Sequence, residues 1–127
     1  MAGTHYHTDA DSIDYDVEND SLYLYVKGAT YVHSLNLDNV IIDIGSEQYV
    51  KGVEILNASK KFGVSKHALM KPRKIDVRID VSDEKIELSI ELILGIQNRY
   101  APKSITASDA NESGLPCGSI GMSCAVC

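Results

Sequence analysis

The sequence predicts an α+β protein: a mostly antiparallel β-meander of about seven strands with one short helical segment on one face. Three observations carry that expectation. Between Ile13 and Leu56, short runs alternate apolar and polar residues and are punctuated by turn formers. From Asn57 to Met70 the period lengthens, with Phe62, Leu69 and Met70 set among small and basic residues. Two long alternating runs follow, "RKIDVRIDV" and "EKIELSIELIL".

Taken in order, residues 1–12 are small, polar and acidic, and read as a flexible arm. The domain spans 13–95. "IDYDV" places Ile13, Tyr15 and Val17 on one face, "END" breaks it, and "SLYLYVKG" sets Leu22, Leu24 and Val26 against Tyr23, Tyr25 and Lys27. Gly28 ends this hairpin, because glycine takes a positive φ without steric cost. "YVHSLNL" is a third strand, Asp38–Asn39 a turn, and "VIIDIG" a fourth strand, apolar on both faces except at Asp43 and therefore central. "YVKGVEIL" is the fifth. In the segment that follows, Asn57 or Ser59 caps a helix, Gly63 divides it, Ser65 caps the second piece and Pro72 forbids continuation.

The second hairpin turns at "SDE". Its apolar faces must meet, which restricts it to registers two residues apart. A turn at Ser82–Asp83 pairs Arg78 with Glu87, Asp80 with Lys85 and Lys74 with Glu91. The alternative, with Ser82 opposite Lys85, sets Asp80 against Glu87 and Asp76 against Glu91. Complementary pairs contribute about 0.2–1 kcal/mol each, so the first register is expected. Residues 96–127 are rich in Gly, Ser, Ala and Pro and read as a flexible, cysteine-containing tail.

Length and charge narrow the function classes. The 127 residues suit one domain, and 44% apolar with 24% charged content is ordinary for a globular chain. A net charge of −6 disfavours nucleic acid as a partner. The one basic cluster, Lys60, Lys61, Lys66, Lys71, Arg73 and Lys74, surrounds the helical segment. No apolar run approaches the roughly 18 residues that a membrane span requires. "MAGTHYHTDADS" has neither a basic n-region nor an apolar h-region, so a cytoplasmic location with reduced thiols is expected.

The runs "YDVENDSLYLYV", "VIIDI" and "VKGVEILNAS" resemble the DUF2283 family of small uncharacterised prokaryotic proteins. Its pattern falls on Tyr15, Asp16, Asp20, Leu22, Tyr23, Asp43, Gly52, Glu54, Ile55, Leu56, Ala58 and Ser59. The resemblance covers residues 13–60, and the later helix and hairpin are similar to those of longer archaeal members. It implies a compact α+β fold in a prokaryotic, cytosolic protein, and no established activity. Some short members look like partners of small toxin-like proteins, which points to protein binding. The cysteine tail lies outside the pattern.

Candidate chemistry is sparse. Asp14, Asp16, Glu18 and Asp20 alternate like a calcium loop, but an EF-hand loop needs Gly at its sixth position and Glu at its twelfth. Counted from Asp14, Asn19 and Tyr25 stand there; from Asp16, Ser21 and Lys27 do. Asp43 and Glu54 are carboxylates on otherwise apolar strands, able to hold a hard cation or exchange a proton if neighbours. Cys117, Cys124 and Cys127 offer three thiols. Zinc needs a fourth ligand, which His5 or His7 supplies only if the two ends meet. "CAVC" also satisfies the prenylation pattern without polybasic support. A mobile, oxidation-sensitive tail is the plainer reading. No nucleophile elbow or phosphate-binding loop is present. Tyr23 and Tyr25 suit an interface, having broad apolar faces and polar tips. The expectation is a non-enzymatic module that binds a protein or itself, as a homodimer, with metal binding as the alternative.

Overall fold

The computed structural model describes residues 4–96, 98–112 and 114–125. Among the described residues, ten strands and two short helices follow one another. They are β1 (Thr4–Asp9), β2 (Ser12–Asp16), β3 (Ser21–Tyr25), β4 (His33–Leu37), β5 (Val40–Ile44) and β6 (Val50–Ile55), then α1 (Ala58–Phe62) and α2 (Lys66–Leu69). β7 (Pro72–Val81), β8 (Lys85–Ile96), β9 (Arg99–Ala110) and β10 (Gly118–Ala125) follow. They form two five-stranded sheets, a short-stranded one ordered β2-β3-β6-β5-β4 and a long-stranded one ordered β1-β10-β7-β8-β9. Every pairing is antiparallel except β1 with β10.

The mostly antiparallel, β-rich architecture agrees with expectation, but ten strands in two sheets replace a seven-stranded meander. Leu22, Leu24, Ile42, Val53 and Ile55 from one sheet share a single core with Ile75, Ile79, Leu88, Ile90, Leu92 and Met122 from the other. Period-2 alternation places these residues inward and their polar neighbours outward.

The short-stranded sheet also departs from meander order, because β6 lies between β3 and β5. Connection length explains this. Asp38 and Asn39 both adopt positive φ (51° and 63°), the geometry of a tight two-residue hairpin, so β4 and β5 must be neighbours. The linker from Val26 to Val32 is long enough for β4 to skip a position, and β6 takes the vacant place beside β3.

The helical segment is divided as expected. Gly63 adopts left-handed geometry (φ 65°) after α1, and the Ser65 hydroxyl accepts from the Ala68 N–H to cap α2. The cap of α1 differs. Asn57 makes no side-chain cap, and Asp20 performs that role from the first hairpin. The Asp20 carbonyl accepts from Ala58 N–H (2.9 Å); its carboxylate accepts from Ser59 N–H (3.0 Å), Ser59 Oγ (2.7 Å) and Tyr15 Oη (2.6 Å). Two cationic side chains reinforce the dock. Lys61 Nζ donates to the Asp38 carbonyl and Lys66 Nζ to the Val17 carbonyl, so these members of the basic cluster bind the fold's own turns.

The expected flexible arm and tail require correction, since they supply β1, β9 and β10. β10 lies between β1 and β7, and Met122 and Cys124 face the core. Gly121 permits close strand approach, because a Cβ there would stand 2.6 Å from the Val77 carbonyl oxygen.

The expected hairpin register is also corrected. Asp80 faces Glu87, Asp76 faces Glu91 and Arg78 faces Ser89. Ser82 closes the turn, donating its N–H to the Lys85 carbonyl and accepting the Lys85 N–H at its hydroxyl. The like charges are relieved locally, with Arg78 3.2 Å from Asp80, Lys85 3.4 Å from Glu87, and Ser119 Oγ donating to Asp80. Exposed pairs are worth too little to outweigh a good turn.

Asp20→Ala should cost about 3–5 kcal/mol in urea unfolding, because three donors lose their acceptor and alanine is strained at a φ of 53°. Asp20→Asn, which keeps one acceptor oxygen and tolerates that φ, should cost about 1–2 kcal/mol. Burial pushes the Asp20 carboxyl up, but the hydrogen bonds from Ser59 and Tyr15 prevail and hold it below its ordinary value. Its contribution is therefore present above the unfolded-state pKa and is lost as pH falls through the lower folded value. Tyr15 is raised by burial, by its bond to Asp20 and by nearby negative charge. Its contribution is complete below about pH 10 and is lost as pH rises toward the folded value. Urea midpoints against pH should show both limbs, and Tyr15→Phe should flatten the alkaline one.

Candidate functional site

The outer face of the short-stranded sheet gathers the polar side chains that the fold does not consume. β3 contributes Tyr23 and Tyr25, and β2 contributes Asp14, opposite Tyr23. β6 contributes Gly52 and Glu54, which face Tyr25 and Tyr23. β5 adds Asp43 opposite Gly52, and β4 adds Ser34 opposite Asp43. Asp43 and Glu54 are diagonal neighbours across this pair. A register shift beside Asp43 marks a bulge, which bends the sheet at the site.

The two tyrosine rings stack with centroids 4.5 Å apart and planes 16° from parallel. Tyr25 Oη donates to Asp14 at 2.7 Å, and Ser34 Oγ donates to Asp43 at 2.6 Å. Tyr23 lies over Gly52, where a Cβ would come within 3.0 Å of its hydroxyl and 3.4 Å of the Asp43 carboxylate. Glycine is therefore what lets the ring lie flat on the sheet beside that carboxylate. Tyr23 titrates above an ordinary phenol because of burial and the charges of Asp43 and Glu54. Tyr25 is raised too, chiefly by its bond to Asp14. Both phenols stay neutral at physiological pH, as donors bordered by carboxylates. A shallow depression lined by Asp14, Asp16, Asn19, Ser21, Tyr23 and Glu54 continues the surface, and Tyr31 and Val32 stand exposed at 56% and 64%.

The acidic run in the first hairpin has structural duties. Asp16 accepts from the Glu18 and Asn19 N–H groups and from the Asn19 amide, which holds its pKa low, and Asp20 docks α1. Among the described residues, no three His, Cys, Asp or Glu side chains come together as a metal site. Cys117 precedes β10 and Cys124 lies near its far end, about 20 Å away at the rise of a strand. Cys127 lies outside the described residues. Cys117 Sγ donates to Asp83 at 3.1 Å, and that bond raises its pKa; burial raises that of Cys124. Both remain thiols at neutral pH, the form that neither attacks nor ligates. Cys117 borders an apolar cavity of about 130 Å³ between the sheets, lined by Tyr6, Ile44, Val81, Leu115 and Ile120. His7 Nε2 lies 2.8 Å from Ser123 Oγ on the other sheet's outer face.

Sequence reasoning named Tyr23, Tyr25, Asp43 and Glu54 without placing them together. Gly52 and Asp14 were missed as members, although Gly52 is an interior-strand glycine, a signal of close approach. Removing charge with Asp43→Asn/Glu54→Gln should lower the Tyr23 pKa while burial keeps it above an ordinary phenol. NMR titration of the Tyr23 ring carbon reads this, and an unchanged value would separate the carboxylates from the hydroxyl.

Comparison with known proteins places this surface in a wider setting. The chain is 35% identical over 109 residues, 86% of its length and 89% of the relative's, to a Methanosarcina mazei protein with the provisional name hypoxanthine phosphoribosyltransferase. It is 38% identical over 109 residues, 85% of its length and 94% of the relative's, to an uncharacterized protein of Methanocaldococcus jannaschii. No solved structure matches significantly. The profile of a protein family of unknown function matches residues 12–59, the stretch that carries both the Asp20 dock and the tyrosine face. The chain belongs to the DUF2283 family.

Proposed function

We propose that the protein is a non-enzymatic binding module whose outer tyrosine face receives a basic segment of a partner protein. The carrying observation is the stacked Tyr23–Tyr25 pair bordered by the Asp14, Asp43 and Glu54 carboxylates over a glycine floor. Tyrosine offers broad apolar area at low entropic cost, cations dock on aromatic faces, and the carboxylates complement lysine or arginine. The net charge of −6 steers such a partner inward.

Phosphoribosyl transfer, the activity in the M. mazei relative's name, asks for something else. A phosphoribosyl donor is a polyanion, best held at the amino terminus of a sustained helix or by free basic side chains. Here α1 and α2 span five and four residues, Lys61 and Lys66 bind turn carbonyls, and the tyrosine face is acidic. Calorimetry with phosphoribosyl diphosphate and Mg²⁺ should show no binding; saturable heat would instead favour the enzyme reading.

Fluorescence anisotropy with a labelled Arg/Lys-rich peptide tests the proposal. Saturable binding should weaken about tenfold in Tyr23→Ser/Tyr25→Ser, as for loss of a central aromatic anchor. Asp43→Asn/Glu54→Gln should weaken it and flatten its salt dependence, because screened charges carry that dependence. No saturable binding, or binding indifferent to both variants, would remove this surface from consideration.

A further inference from the structure

The long-stranded sheet ends in an edge unlike the other three. β1, β2 and β4 present six, five and five residues, whereas β9 presents twelve. The direction of its free groups can be derived. Asn111 N–H donates to the Glu84 carbonyl, and Lys85 pairs with Ala110. Hydrogen-bonded pairs alternate along an antiparallel ladder, so odd-numbered β9 residues bond to β8. Even-numbered residues therefore aim their main-chain groups away from the sheet. On the β7 side, Ser82 N–H bonds to the Lys85 carbonyl, which gives β8 the same parity. Pro102 confirms the phase, since its missing N–H falls on the outward side, where an edge strand tolerates proline. Ser104, Thr106 and Ser108 are exposed, and their outward N–H and C=O groups take no other backbone partner among the described residues.

We infer that β9 pairs antiparallel with β9 of a second copy of this chain about a two-fold axis at Thr106, joining the two long-stranded sheets into one. Proline and charge select this register. With Thr106 opposite itself, Ser104 faces the partner's Ser108, and Lys103 faces the partner's Asp109. Pro102 then meets the partner's Ala110, the last residue of β9, whose N–H is held by its own Asp109 carboxylate at 2.8 Å, so the donor that proline lacks is missed only at the end of the ladder. A shift by two toward the amino terminus sets Pro102 opposite the partner's Ser108, which moves the missing donor inside the ladder and leaves Lys103 opposite Ala107. A shift the other way puts Asp109 against Ile105. Thr–Thr and Ser–Ser pairs on the outer face add cross-strand hydrogen bonding. An exposed edge of this length is otherwise an aggregation hazard, and closed two-fold pairing removes it. This interface is separate from the tyrosine face.

Sedimentation equilibrium on the reduced, full-length protein tests the inference. A monomer–dimer equilibrium is expected, with a dissociation constant on the order of 10 µM for so small an interface. Thr106→Pro removes only an outward N–H and should abolish the dimer while circular dichroism stays native. Lys103→Glu and Asp109→Lys should each weaken the dimer about tenfold, and the double charge swap should restore it. Should Thr106→Pro misfold, the charge-swap set decides. A monomer at every concentration, or a dimer indifferent to these substitutions, overturns the inference.

Discussion

One buried carboxylate, that of Asp20, joins the first hairpin to the helical connection, and the arrangement of the short-stranded sheet depends on it. Its partners come from β2 through Tyr15 and from α1 through Ser59, while the Asp20 main-chain carbonyl takes the Ala58 N–H. α1 follows directly from β6, so holding its first turn against the β2–β3 turn fixes β6 beside β3. That pairing puts Gly52 and Glu54 opposite Tyr25 and Tyr23. Take away the carboxylate and a buried N–H and two hydroxyls are left without an acceptor, which is costly in a low-dielectric interior.

The residues that carry the family resemblance divide into two groups by what they touch. Tyr15, Asp16, Asp20, Ala58 and Ser59 close a turn and dock a helix; Leu22 and Ile55 fill the core. Tyr23, Asp43, Gly52 and Glu54 meet on the exterior, where packing does not require that combination. The fold group accounts for why an acidic run resembling a calcium loop needs no cation. The exterior group sets stacked tyrosine rings beside carboxylates on the open face of the short-stranded sheet.

Much of the fold was legible because alternation over branched apolar residues is a strong signal: Ile75–Val81 and Ile86–Leu94 are buried as their spacing demands. Gly63 and Ser65 marked the helical break for local steric and hydrogen-bonding reasons. The tail was illegible because its inward residues, Ala101, Ile105, Ala107 and Met122, are mostly small or isolated. β9 and β10 are marked by their pairing with β8 and β7 rather than by any pattern of their own. Asp20 as the cap of α1 was equally hidden, since a contact across 39 positions has no local signature. Turn closure at Ser82 overrode surface charge pairing, so the register misled. Tyr23, Tyr25, Asp43 and Glu54 are visible in the sequence one strand at a time, and only the strand order brings them to one face.

A double-mutant cycle between Tyr15→Phe and Ser59→Ala, read by urea unfolding, tests the central role of Asp20 most directly. The two side chains reach the same carboxylate from opposite elements, Tyr15 at Oδ1 and Ser59 Oγ at Oδ2. Single substitutions should each cost about 1–2 kcal/mol, and the double should depart from their sum by at least about 0.5 kcal/mol, as in a shared network. Strict additivity with single costs below about 0.5 kcal/mol would place the hold on the short-stranded sheet elsewhere.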